Sequence, residues 1–405
     1  MSGPGRVAIV GVGATRFARR IEDRSALALR VEAAKLAADD AGLRLGDCDG
    51  LLAAEASTGL GFLPNPRHHM ELSEILGMYE TPLCISIPSG GVAAGTSVEI
   101  ARWALQSGRC KYVMIVGGFK ASEAGRSGRG HGFSDRVATL TMHYPDYEHP
   151  YGPLMPSFYA LVAQRHMYEY GTTEEQLSGI SIAARHNAGL NPDAIYREPI
   201  GLDDVLGSRM ISSPLRMLHC CIVSDGALAF LMTTEERARD LAREPVFVSG
   251  SGGGQSGYYT GWLAKGGSDD GWSLTRTLAA RAAGDAYAEA GLGPADVDLV
   301  TCCDNFAITP LVSLEDFGFC PKGEGGAFVG EDGARIKVGG ELPVNPHGGL
   351  LSCNHAATNY QNYVEATIQL RGDAGARQVA GAKVALATSS AGIVSTHYAQ
   401  VLQTD

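Results

Sequence analysis

A turn between a predicted strand and a predicted helix, within Ser86–Gly108, is the first place in the chain that could support chemistry. Ser89, Gly90 and Gly91 form this turn. Glycines let the backbone bend tightly, and the unpaired N–H groups at the start of a helix attract an anion or a polarised carbonyl oxygen. Enzymes often mount a nucleophile on such an elbow. No cysteine stands here, so Ser89 has the only side chain of the turn that could be acylated.

The composition excludes several classes of protein. The chain has 405 residues, a net charge of −11 and no long basic run, which argues against nucleic acid as its main partner. No apolar run reaches membrane-spanning length, and no signal peptide precedes the first predicted strand. None of the nine cysteines shows C-x-x-C spacing. We therefore expect reduced thiols, a cytoplasmic protein and no metal site.

The elbow must be held by a scaffold, and the sequence predicts a scaffold of two similar halves. Ser273–Asp304 parallels Ser25–Ala56 at a constant offset, so that Gly42 falls on Gly291. Alternating strands and helices predict a mainly parallel, helix-covered sheet in each half. Two similar α/β halves are expected to pack together, with a site where their helix N-termini converge. Gly11-Val12-Gly13, after the first apolar run, is predicted to be a tight turn.

At this point the chain resembles a known family. The duplicated halves, the elbow, the stretch N-P-H-G-G-L-L-S-C-N-H (345–355) and Gly318–Val329 are similar to the thiolase superfamily, in its sterol-carrier-protein-thiolase or lipid-transfer-protein branch. The resemblance implies an α/β thiolase fold with a five-layer α-β-α-β-α core and a homodimer. It divides the chain into an N-terminal half (1–118 and 188–240), an inserted loop and helix region (119–187) and a C-terminal half (241–405).

The resemblance also assigns roles to positions. The elbow cysteine of the family falls on Gly91 or a neighbour, and its second cysteine falls near Thr388. The histidine of the G-H-P motif matches His355, whereas Cys303 replaces a polar residue that helps to bind the thioester oxygen. Asp304, beside it, is predicted to orient His355 or to bind a polar group. Of these four usual functional side chains, the chain clearly keeps the histidine.

Without the cysteines, the reaction that the resemblance favours is retro-aldol cleavage of a β-hydroxyacyl-CoA, with CoA as part of the substrate. A general base deprotonates the β-hydroxyl, and oxyanion donors hold the enolate. Members of the branch that lack the elbow cysteine resemble aldolases that use tyrosines and work with a small DUF35-type subunit, a zinc ribbon plus an OB domain. The candidate catalytic residues are His355, Asp304, Cys303, Cys353, Tyr258 and Tyr259. The candidate substrate and oxyanion-binding residues are Ser89, Gly90, Gly91, Gly348, Gly349 and Asn354.

Two other functions stay open. Cys303 or Cys353 could act as a displaced nucleophile in a β-ketoacyl-CoA thiolase or acyltransferase. Alternatively, the chain could be a non-catalytic subunit that binds acyl-CoA. The aromatic residues and the long loop region permit a bulky, ring-bearing acyl chain, as in lipid, aromatic or steroid catabolism.

Overall fold

The computed structural model describes residues 5–54, 67–88, 90–124, 149–256 and 273–405. Ser89, Tyr258 and Tyr259 lie outside the described residues. The strands are β1 (Val7–Ala14), β2 (Gly50–Ala54), β3 (Leu83–Ile87), β4 (Tyr112–Lys120), β5 (Met210–Ser212), β6 (Leu215–Arg216), β7 (Asp225–Thr234), β8 (Val246–Gln255), β9 (Leu299–Thr301), β10 (Val384–Ala391) and β11 (Thr396–Gln403). The helices are α1 (Ala26–Ala41), α2 (His68–Ile75), α3 (Ala93–Gln106), α4 (Ala121–Ala124), α5 (Met155–Tyr170), α6 (Glu174–Gly189), α7 (Leu202–Gly207), α8 (Glu235–Ala238), α9 (Ala279–Ala290), α10 (Ile308–Asp316), α11 (Gly325–Val329) and α12 (Tyr360–Leu370).

The main sheet of the described residues runs in the order β3-β2-β4-β7-β1-β8-β11-β10-β9. In the first half β2 is parallel to β3 and β4, and β7 is antiparallel to both of its neighbours, β4 and β1. The second half repeats this pattern, with β9 parallel to β10 and β11 antiparallel between β10 and β8. The two half-sheets join where β1 and β8 pair antiparallel.

The helices form layers around this sheet. Helices α3 and α12 lie in the centre, and one apolar core joins them to strands of both half-sheets. Helices α1 and α2 cover the outer face of the first half, whereas α5, α6, α9 and α10 cover that of the second. The result is the α/β fold with the five-layer core that the family resemblance implies.

Equivalent residues of the two halves make equivalent contacts. Asp49 accepts a hydrogen bond from the backbone N–H of Tyr112 at the start of β4 (2.9 Å). Asp298, at the predicted offset, accepts one from the N–H of Val384 at the start of β10 (2.9 Å). The duplication read from the sequence is therefore present in the hydrogen bonding of each half.

Gly11 and Gly13 lie inside β1, so the predicted tight turn is wrong. A Cβ atom on Gly11 would overlap the carbonyl oxygen of Ala37 in α1. Gly250 in β8 stands in the same relation to Ala286 in α9. These glycines let a helix approach its strand closely, once in each half.

Candidate active site

The elbow of the first half meets the second half at Gly91. Its carbonyl oxygen accepts a hydrogen bond from Asn359 Nδ2 (2.6 Å), and the same nitrogen lies 3.3 Å from the carbonyl oxygen of Ser390. Asn359 precedes α12, so this contact brings the N-terminal ends of α3 and α12 together, as the duplication predicts. A Cβ atom on Gly91 would overlap the Ser390 carbonyl oxygen. The backbone of β10 thus fills the space that a side chain at position 91 would need.

Cys303 lies in the same place. Cys303 is 3% exposed, and the side chains of Ser390 and Asn359 lie against its thiol and lower its pKa. Burial raises the pKa of this thiol to about 11, so it is protonated at neutral pH. We call Gly91, Cys303, Asn359 and Ser390 the junction cluster.

His355 is partly exposed and has a fixed ring. Its backbone N–H donates a hydrogen bond to Ser224 Oγ (2.7 Å), and its ring packs edge-on against Phe119, with centroids 5.9 Å apart. Burial lowers the pKa of His355 to about 4, against a hydrogen bond from the ring to the backbone of Ile222. The imidazole is therefore neutral at pH 7. A neutral imidazole has one unprotonated ring nitrogen, which can accept a proton.

Asp304 helps to position His355 through hydrogen bonds to the backbone before it. Its buried carboxyl group accepts hydrogen bonds from the N–H groups of Leu350 (2.7 Å) and Leu351 (3.4 Å). Burial raises the pKa of Asp304 to about 7 in spite of these bonds. The carboxyl group thereby holds the π-helical turn Gly349–Cys353, which leads directly to His355. The ring of His355 contacts Ile222 and Phe119, so its orientation by Asp304 is indirect.

Gly348 and Gly349 start this turn with φ values of 101° and 63°, which glycine adopts readily. A Cβ atom on Gly349 would overlap the carboxyl group of Asp304. The N–H of Gly348 already donates to the carbonyl oxygen of Asn345 (2.8 Å). The N–H of Gly348 is therefore already used within the turn. The predicted oxyanion role of Gly348 and Gly349 stays a prediction.

The sulfur of Cys353 faces the other way, towards α6. It accepts a hydrogen bond from Asn191 Nδ2 (3.4 Å) and packs with Ala188 and Ala194. Burial raises the pKa of Cys353 to about 12. Asn354 is also engaged locally, because its Oδ1 accepts a hydrogen bond from the N–H of Ala356 (3.1 Å).

Several residues of the site were not singled out in the sequence. Asn359 and Ser390 belong to the junction cluster. After Ser390 the hairpin between β10 and β11 contains Ile393 and Val394, with φ values of 51° and 64°. Positive φ is strained for β-branched residues and is found at functional sites. Asn359 has a signal in the sequence, a polar residue between the histidine motif and a helix, whereas the strained hairpin has none.

Within the described ranges, no group of three or more His, Cys, Asp and Glu side chains could hold a metal ion. In the same parts of the chain, no helix has the length and apolarity needed to cross a membrane.

Comparisons with known proteins agree with this architecture. Residues 268–404 match the family model described as thiolase C-terminal domain-like. The chain is 34% identical to an acetyl-CoA acetyltransferase of Methanothermobacter thermautotrophicus over 96% of its length and 97% of that protein. It is also 34% identical to 17-hydroxy-3-oxo-4-pregnene-20-carboxyl-CoA lyase of Mycobacterium tuberculosis, over 96% of this chain and 97% of the lyase.

A solved structure of the Ltp2-ChsH2(DUF35) aldolase superposes with a TM-score of 0.81 and 30% identity, covering 99% of this chain and 98% of that one. The chain also shares 30% identity with human sterol carrier protein 2, over 94% of its length and 69% of that protein. Relatives that match over 86% or more of this chain and of their own length are named as lyase, aldolase and acetyltransferase. This chain is accordingly a thiolase-superfamily enzyme of the branch that resembles the sterol-carrier-protein-2 thiolases.

Proposed function

We propose that this enzyme catalyses the retro-aldol cleavage of a β-hydroxyacyl-CoA that carries a bulky side chain. The observation that carries the proposal is at Gly91, where the Ser390 carbonyl oxygen fills the space of a nucleophilic side chain. Retro-aldol cleavage needs no covalent intermediate. Two relatives that match over most of the chain are named as a steroid carboxyl-CoA lyase and a steroid side-chain-cleaving aldolase.

The reaction needs a base and a site for an oxyanion. The neutral imidazole of His355 takes the proton of the β-hydroxyl. The oxygen then forms a carbonyl as the bond between the α and β carbons breaks, which leaves a thioester enolate. Backbone N–H groups at the start of α3 stabilise the enolate oxygen. The imidazolium returns the proton to the α carbon, and the products are a ketone or aldehyde and a shorter acyl-CoA.

Other residues support this step. Asp304 holds the turn before His355, and Cys303 supplies a weak donor beside the elbow. Phe119 lies at the start of the predicted inserted region, 119–187, and touches the ring of His355. We infer that Phe119 forms part of the wall around the acyl side chain. Tyr258 and Tyr259 remain proposed acid–base groups.

Coenzyme A is proposed as the carrier of the substrate. A thiolase of the same fold, human mitochondrial 3-ketoacyl-CoA thiolase, has been solved in complex with CoA and superposes with a TM-score of 0.70 at 14% identity. The lyase relative is named for a carboxyl-CoA substrate. Binding of CoA to this chain can be measured by calorimetry.

A homodimer is proposed through the edge strand β3, which pairs only with β2 within the described residues. Beside it α2 and the following turn expose Met70 (60%), Ile75 (54%) and Tyr79 (80%). An open strand edge with apolar neighbours is suited to pairing with a second copy. A heteromeric complex with a DUF35-type subunit is proposed from the Ltp2-ChsH2(DUF35) structure. The nine free thiols favour a cytoplasmic location.

The rival function is acyl transfer or thiolysis by a displaced cysteine. Two relatives are named as acetyl-CoA acetyltransferases, and Cys303 lies beside the elbow. Its raised pKa disfavours a thiolate in the free enzyme. Cys353 is directed towards Asn191 and is the weaker candidate.

The proposal is tested by product analysis. The protein, alone and co-purified with a DUF35-type subunit, is incubated with a tertiary β-hydroxyacyl-CoA that carries a ring. We expect a ketone and a shorter acyl-CoA to form at equal rates without added free CoA. No cleavage of this substrate, together with cleavage of a β-ketoacyl-CoA that requires free CoA, would replace the proposal with thiolysis. Turnover that is unchanged in His355→Gln would exclude His355 as the base.

A further inference from the structure

We propose that Asn359 is a positioning residue that fixes the peptide between Gly91 and Val92, so that the elbow presents its backbone donor to the thioester oxygen. This role rests on the proposed retro-aldol function. Asn359 lies at the N-terminus of α12 in the second half, and its side chain bonds to the elbow of the first half.

The contacts of Asn359 define a clasp between the two halves. Its amide nitrogen donates to Gly91 O (2.6 Å) and lies 3.3 Å from Ser390 O. Its side chain also contacts the thiol of Cys303. Asn359 is 1% exposed, so water does not compete for these bonds. One amide group thereby ties the elbow to β10 and to the end of β9.

A fixed carbonyl oxygen fixes the next amide. The peptide bond is planar and trans, so the carbonyl of Gly91 and the N–H of Val92 point in opposite directions. With the oxygen held by Asn359, the Val92 N–H is directed away from the clasp. Val92 precedes α3, where the first N–H groups have no partner within the helix. The same peptide lies in the short helical turn Gly90–Val92 that leads into α3, and the clasp adds a bond from the other half of the molecule to its carbonyl oxygen.

Asn362 provides a matched control one turn along α12. Its amide nitrogen donates to the carbonyl oxygen of Thr388 (2.8 Å), in the same strand as Ser390. It is equally buried, and its amide nitrogen lies 3.5 Å from Asn359 Oδ1, on the side of that amide opposite to the nitrogen that donates to Gly91 O. Asn362→Ala removes a buried amide of the same type while leaving the contact to Gly91 in place.

The first test compares Asn359→Ala with Asn362→Ala by hydrogen exchange and kinetics. We expect faster exchange in the elbow peptide, residues 88–96, in Asn359→Ala alone. We also expect kcat to fall about 10- to 100-fold with little change in KM, because the donor is misplaced rather than the substrate lost. Equal exchange and equal kcat losses in the two variants would overturn the proposal.

The second test uses Asn359→Asp, which keeps the shape of the side chain. As a carboxylate it repels the two carbonyl oxygens, and when protonated its O–H donates to Gly91 O again. We therefore expect kcat of this variant to rise as the pH falls from 8 to 5, while the wild-type kcat does not. A pH-independent loss would contradict the clasp, and this outcome decides the question if Asn359→Ala does not fold.

The proposed reaction and the proposed role of Asn359 can fail separately. If the wild type cleaves no β-hydroxyacyl-CoA but Asn359→Ala loosens the elbow in hydrogen exchange, the clasp stands and the proposed reaction fails. If the wild type cleaves the substrate and Asn359→Ala changes neither exchange nor kcat, the reaction stands and the clasp fails.

Discussion

The two halves of the molecule share a scaffold and differ in what they bring to the site. In the first half α3 follows Gly90 and Gly91. These described residues of the elbow have no side chains, so they offer only backbone groups. In the second half α12 follows His355 and Asn359, which offer side chains. A duplicated fold can thus divide its work, with a backbone donor on one side and the reacting and positioning groups on the other. The predictions below test that division.

The largest effect is expected at His355. Replacing His355 with Gln removes the base and should lower kcat by about 100- to 10,000-fold. Thermal unfolding should change little, because the backbone N–H that donates to Ser224 remains. Steady-state kinetics and unfolding of the same preparation provide the measurement. A loss of activity that only follows a loss of stability would place His355 in the scaffold.

The next effect concerns the elbow itself. Gly91→Ala would push a methyl group against the carbonyl oxygen of Ser390 and should destabilise the fold by about 1 to 3 kcal/mol. Gly90→Ala is the control, because its Cβ would meet nothing within 4 Å and only its φ of 54° would be strained, at roughly 1 kcal/mol. Denaturant unfolding of both variants distinguishes them. Equal stabilities would mean that the elbow has room for a side chain, as a nucleophile would need.

A third effect depends on pH. The pKa of Asp304 is raised to about 7 by burial, so the native carboxyl keeps a proton that the unfolded chain loses above about pH 4. Its contribution to stability is complete below that pH and is lost as the pH rises towards 7. The Tm of Asp304→Asn relative to wild type should therefore increase from pH 5 to pH 8. A Tm difference that is constant with pH would show that Asp304 is already ionised when folded.

The smallest effect is expected at Cys353. Its thiol is bonded to Asn191 and packed against α6, away from the junction cluster. Cys353→Ser should leave kcat within about threefold of wild type, since the hydroxyl can accept the same bond. Cys303→Ala, measured in parallel, removes the weak donor beside the elbow and should lower kcat more. The reverse order would make Cys353 the displaced nucleophile.

The scaffold could be read from the sequence where local signals repeat. Ser25 and Gly42 cap α1, and Gly291 caps α9 at the predicted offset from Gly42. Gly11 lies in a strand and not in the predicted turn. A glycine that lets a neighbouring helix approach has the same local sequence as a glycine in a turn. Here the local sequence does not distinguish the two.

The site was only partly predictable. Cys303 and Gly91 were found through the family resemblance, and the structure brings them together. The contact of Asn359 with Gly91 joins residues 268 positions apart, and no pattern along the chain reports it. The left-handed backbone at Ile393 and Val394 is imposed by the hairpin and not by residue type.

The central claim is that the C–C bond is cleaved without an acyl-enzyme. Intact-protein mass spectrometry during turnover of a β-hydroxyacyl-CoA, quenched in acid, tests it most directly. We predict the unmodified mass at every time point while the ketone accumulates. An adduct with the mass of the acyl group, mapped to Cys303 and lost in Cys303→Ser, would contradict the account.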